Sequence, residues 1–90
     1  MAADYAADAT LERPDARWTG RDQVAAYFQT VPDRLAGGRV DFTDFDPLAL
    51  TVCWRIVGGP GHGTRGTDHY EVRHGLIARQ IVHLDGGTDF

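Results

Sequence analysis

The sequence contains no lysine, a single cysteine, a single methionine and no unbroken apolar run approaching the roughly 18 residues that a membrane-spanning helix needs. Each shortage removes a class of function. Without lysine the nine basic residues are all arginine, and thirteen acidic residues outnumber them to give a formal net charge of -4. Such a surface repels a phosphate backbone, so nucleic acid is not an expected partner. Cys53 has no second cysteine to pair with, and the four histidines are scattered without zinc-ligand spacing, so neither a disulfide, a metal nor another cofactor is expected. The opening stretch, Met1 to Asp8, has no basic segment followed by an apolar one. Nothing is therefore expected to target or anchor the chain, and the expected location is the cytoplasm without a membrane partner.

What remains is an ordinary globular composition, 42% hydrophobic and 24% charged over 90 residues, which predicts one folded domain. After a Thr19 or Gly20 cap, apolar side chains at Val24, Tyr27, Phe28 and Val31 follow helical spacing, predicting a helix from about Arg21 to Val31 that stops at Pro32. The period then changes to two. Val40 and Phe42 mark one strand, and Leu48, Leu50, Val52, Trp54 and Ile56 mark a second, separated by Asp46 and Pro47. Gly58 to Gly63 reads as a long hairpin loop; it opens no helix, so it is no phosphate-binding loop. Thr67 to Val72 and Leu76 to Leu84 form a hairpin around His74 and Gly75, and Thr10 to Glu12 adds a short strand before Pro14. The fold class is α+β, an antiparallel sheet curled around a helix.

Tyr5-Ala6-Ala7-Asp8-Ala9-Thr10-Leu11-Glu12-Arg13-Pro14, followed by Trp18-Thr19-Gly20-Arg21-Asp22-Gln23-Val24-Ala25-Ala26-Tyr27-Phe28, closely resembles the opening of ketosteroid isomerases and SnoaL-like polyketide cyclases. Both belong to the nuclear transport factor 2-like superfamily. Gly66 to Ile77 resembles that superfamily's last hairpin, so the likeness covers nearly the whole chain. It implies a single SnoaL-like domain with a cystatin-like, cone-shaped fold: a strongly bent antiparallel sheet wrapped by helices, with a mostly apolar pocket in its mouth and frequent homodimerisation. Such proteins carry a long first helix ahead of the Tyr-Ala-x-Asp-Ala segment, and here almost nothing precedes Tyr5. The apolar surface left open is expected to be covered by a second copy of the chain, in a homodimer, although a start assigned too far downstream would account for the same gap.

Asp68 is the expected catalytic residue. It sits in a strand on the same face as Tyr70 and Val72, where a carboxylate needs partners, and the resemblance matches it to the isomerases' oxyanion-hole aspartic acid, held protonated by an apolar pocket. The competing reading is a strand-edge carboxylate paired with Arg65 or Arg79. The resemblance places Arg13 where the isomerases carry the aspartate that shuttles the proton. Arginine cannot be that base, so steroid double-bond isomerisation is not expected, and Arg13 is read either as a ligand for a carboxylate or enolate oxygen or as a solvent-facing residue beside Pro14.

Phe28, Trp54, Tyr70, Gln80 and Val82 complete the expected ligand-binding set. With a three-residue turn, Gln80, Val82 and Leu84 share the face of Asp68, whereas His69, His83, Glu71, Arg73, Arg79, Ile77 and Ile81 share the other. A one-residue slip would exchange the faces. Asp85 and Glu12 are weaker candidates for the acid that SnoaL-like cyclases carry on the last strand, and His62 and His74 are expected in solvent. Two functions follow: an isomerase-, cyclase- or hydrolase-like enzyme without metal acting on a small apolar carbonyl or polyketide-like compound, or a non-catalytic ligand-binding or dimerisation module with the same cone.

Overall fold

A computed structural model describes residues 4–86. Residues 1–3, part of the stretch read above for a targeting signal, lie outside the described residues, as do residues 87–90.

The chain runs β1 (Tyr5–Arg13), β2 (Ala16–Thr19), α1 (Arg21–Gln29), α2 (Val31–Leu35), β3 (Arg39–Asp46), β4 (Thr51–Val57), β5 (Arg65–Arg73) and β6 (Leu76–Gly86). Among the described residues all six strands join one sheet in the order β2-β1-β6-β5-β4-β3. Every pairing is antiparallel except β1 with β6, because β6 returns from the β3–β6 meander to lie beside the first strand. The sheet is therefore mixed. Register shifts in the β1–β6, β3–β4 and β5–β6 ladders mark bulges, which bend strands and give the sheet its concave face.

Several boundaries differ from the sequence reading. Thr10 to Glu12 is the end of a nine-residue β1, and β2, too short and polar to show periodicity, pairs with it across Pro14 and Asp15. Leu48 and Leu50 lie in the turn before β4, where Asp46 Oδ1 accepts the Leu48 and Ala49 backbone N–H groups at 2.9 and 3.1 Å. An aspartate closing its own turn overrides the alternation that suggested a strand. Pro32 does not end the helical stretch. α1 stops at Gln29, and Pro32 sits in the first turn of α2, where its missing N–H costs nothing.

Gly20 is the N-cap of helix α1, and the Gln23 amide oxygen accepts the Thr19 N–H at 2.9 Å. Its buried face, Val24 and Tyr27, packs with Leu11, Ala9, Ile56, Trp54 and Val82, with Phe28 and Val31 beside them. Leu11 and Val24 are fully enclosed, so burial of a small core holds the helix on the sheet. Leu11→Ala should lower unfolding free energy by about 2–5 kcal/mol, read by urea denaturation; a loss below about 1 kcal/mol would mean that the core closes over the vacancy.

Candidate functional site

The concave face of the sheet and one side of α1 enclose a cleft of about 550 Å3, within the ordinary range for a small-molecule site. Its walls are aromatic and aliphatic, including Phe28, Phe42, Phe45, Val52, Trp54 and Val82. The polar groups on them are few: Asp4, Tyr5, Arg13, Tyr27, Asp68, Tyr70 and Gln80.

Neighbouring strands deliver partners to Asp68. Trp54 Nε1 on β4 donates to Asp68 Oδ1 at 2.9 Å, and Gln80 Nε2 on β6 donates to Oδ2 at 2.8 Å. The Tyr70 hydroxyl also bonds the Asp68 carboxylate while accepting from Gln80 Nε2 at 3.2 Å. The phenol of Tyr5 donates to Gln80 Oε1, which turns the amide so that its NH2 faces Asp68 and Tyr70. Burial raises the Asp68 pKa above the usual carboxylate value; the bonds from Trp54, Gln80 and Tyr70, and then the charge of Arg13, pull it down without cancelling the rise. Burial, and then the Asp68 charge, pushes the Tyr70 hydroxyl up to about 12, while burial, and then the neighbouring Tyr70 and Asp68, raises that of Tyr5, so both phenols stay protonated.

Arg13 lies against the same cleft with its side chain only 7% exposed, and its Nη1 donates to the Tyr27 hydroxyl at 2.9 Å. The solvent-facing reading of Arg13 does not hold. Nor does the surface ion pair for Asp68: Arg65 is exposed and away from the cleft that Asp68 lines, and Arg79 is engaged on the other face by Glu12 at 2.6 Å and Glu71 at 2.9 Å. That Glu12 carboxyl, held below its usual range by the Arg79 hydrogen bond, is not on the cleft, and Asp85 accepts from Thr67 Oγ1 at 2.6 Å, also away from it.

The structure thus brings Arg13, Phe28, Trp54, Asp68, Tyr70, Gln80 and Val82 to one cleft. His69 and His83 meet edge to face, ring centres 4.9 Å apart, outside it, and both are exposed. One placement is corrected. Ile77 lines the cleft instead of joining the histidine face, because the turn at His74 and Gly75 is a two-residue turn with both φ positive, and Ala78 bulges out of the ladder between Ile77 and Arg79. Val72 pairs with Ile77, Tyr70 with Gln80 and Asp68 with Val82. The bulge supplies the extra residue that the sequence reading assigned to the turn. Tyr5 and Asp4 were not anticipated as wall residues. Only the long-range parallel pairing of Tyr5 with Ile77 carries Tyr5 to Gln80, and local periodicity holds no trace of it.

A SnoaL-like domain model matches residues 1–80, and the chain belongs to that family. Among solved structures, a nuclear transport factor 2-like protein of unknown function from Mesorhizobium loti superposes with TM-score 0.80 at 22% identity, over 94% of this chain and 75% of that one. A candidate ketosteroid isomerase from Kribbella flavida superposes with TM-score 0.72 at 25% identity, over 98% and 65%. A protein of unknown function with a cystatin-like fold from Methylobium petroleophilum gives 0.74 at 18%, over 99% and 65%. No curated protein matches the sequence.

The raised Asp68 pKa fixes a sign. The native state keeps this proton to a higher pH than the unfolded chain, so the group's contribution to stability is greatest below the unfolded carboxylate pKa of about 3.9 and falls as pH rises through the native value. Asp68→Asn removes that fall. Unfolding free energies of the two proteins, measured by urea denaturation from acid to neutral pH, should differ by an amount that changes over this window and is constant above it; a difference independent of pH throughout would show that burial does not perturb Asp68.

Proposed function

We propose that this domain moves a proton on a small, mostly apolar carbonyl compound, of isomerase or cyclase type, with Asp68 as the acid–base group. One observation carries the reading: Asp68 is a carboxyl group on an apolar cleft whose protein partners are donors. Neither the indole N–H nor the oriented amide N–H can accept a proton from it. Once protonated, Asp68 can pass its hydrogen only to the Tyr70 oxygen or into the cleft. The ionised Asp68 takes a proton from the carbon beside a carbonyl; the C–H electron pair moves into the enolate, whose oxygen gains charge near Arg13; Asp68 then returns the proton to another carbon. The charge of Arg13 favours both the ionised Asp68 and the enolate. The 25% identity to a candidate ketosteroid isomerase supports the reaction class, and an arginine where the resemblance expects the shuttle aspartate leaves Asp68 as the buried carboxyl on the cleft wall to take the base role.

In heavy water the protein should incorporate deuterium beside the carbonyl of cyclic ketones and enones, followed by proton NMR. Asp68→Asn should slow this by about 100-fold or more. No exchange above buffer across the panel, or an undiminished rate in the Asn variant, would overturn the proposal.

A binding module without chemistry is the second reading, favoured by cleft walls that, among the described residues, carry no histidine and, besides Asp68, only the exposed carboxylate of Asp4. Its signature would be saturable quenching of Trp54 fluorescence by the same ketones without exchange. Both readings include a homodimer, because Phe42, Phe45, Leu48 and Val72 are 72, 61, 96 and 51% exposed. Sedimentation should show a dimer at micromolar concentration, and a thermally stable monomer would remove that element.

A further inference from the structure

Trp54 and Gly66 face each other across the β4–β5 ladder. A Cβ on Gly66 would stand 2.2 Å from Cζ2 of the Trp54 ring, 2.5 Å from Cε2 and 2.8 Å from the His83 carbonyl oxygen. Cε2 is one of the two ring carbons bonded to Nε1. The hydrogen atom of Gly66 therefore leaves the slot in which the N–H edge of the indole lies, and from that slot it reaches Asp68, two residues along β5, at 2.9 Å.

The partners of Asp68 are not equivalent. Tyr70 can reverse its hydroxyl and so serve a protonated carboxyl as well as a charged one, whereas Gln80 donates in the orientation that Tyr5 gives it and would offer an oxygen only if that bond from Tyr5 were lost. An indole N–H only donates, and it bonds most strongly to a charged acceptor. The other charged or titratable groups around Asp68 are Arg13 and Tyr5 from β1 and Tyr70 from β5, with Asp4 ahead of β1 on the same cleft and beside Tyr5, while Tyr27 from α1 bonds Arg13.

We propose that Trp54, seated on Gly66, is a positioning residue that fixes the plane of the Asp68 carboxyl and selects its ionised form. The inference rests on Asp68 as the proton-transfer group, but it is read on Asp68 itself. The carboxyl carbon of Asp68, assigned by its loss in Asp68→Asn, is titrated by carbon-13 NMR in the substrate-free protein, in Trp54→Phe and in Gly66→Ala. Trp54→Phe keeps an aromatic ring and removes the N–H. Its Asp68 midpoint should rise by roughly one pH unit, the size expected for loss of one charge-assisted hydrogen bond, and the acid limb of the deuterium-exchange profile should move with it. Gly66→Ala should give a rise of the same sign by displacing the indole. If that variant does not fold, Trp54→Phe decides alone. A midpoint in Trp54→Phe that matches the unaltered protein overturns the proposal. A raised midpoint in a protein that catalyses no exchange would sustain the positioning role and overturn only the proton-transfer reading.

Discussion

A carboxyl group set into a wall of aromatic side chains loses its water and must recover hydrogen bonds from the protein, and this requirement on Asp68 organises the rest of the site. The donors come from strands on both sides of it, Trp54 from β4 and Gln80 from β6, with Tyr70 from its own strand. The registers of β4–β5 and β5–β6 are thus tied to one another through a single residue. Tyr5, reached only through the parallel β1–β6 pairing, adds β1 to the same arrangement by orienting Gln80.

The sheet carries two carboxylates whose environments push them in opposite directions. Glu12 is on the outer face with the Arg79 guanidinium at 2.6 Å, which keeps it charged, while Asp68 on the inner face is raised by burial. An exposed ion pair of this kind adds little to stability. Its effect is to engage Arg79 outside, where its charge cannot satisfy Asp68, so that the inner carboxyl depends on neutral donors and on Arg13. Separation of acids by environment, with no difference in residue chemistry beyond one methylene, is how a fold obtains a reactive carboxyl near structural ones.

The elements most legible in the sequence are those governed by local periodicity. Val24, Tyr27 and Phe28 give α1, and the alternation through Val52, Trp54 and Ile56 gives β4. The inner face of the last hairpin was readable too, since Asp68, Tyr70, Gln80 and Val82 follow a period of two. What escaped depends on contacts distant in sequence or on individual side chains closing turns. β2 is short and mostly exposed, Leu48 and Leu50 are governed by Asp46, and the parallel alliance of β1 with β6 has no local signature. Trp54 and Gln80 could be placed on the cleft from alternation, yet the direction of their polar atoms toward Asp68 could not, because that depends on Gly66 opposite the indole and on Tyr5 opposite the amide.

The bulge at Ala78 gives the last hairpin an arithmetic of its own. Above it the paired residue numbers of β5 and β6 follow the two-residue turn, and below it they are offset by one, which is what puts Gln80 and Val82 on the side of Asp68. A chain one residue shorter at this point would pair regularly from the turn onward and still present the present Gln80 and Val82 inward. A chain that kept Ala78 but drew it into the ladder would present Arg79, Ile81 and His83 instead, a cationic and partly titratable lining in place of a neutral one. The character of the pocket is therefore set by parity along β6 and not by its length, and the same ten or so residues encode two different interiors separated by one backbone step.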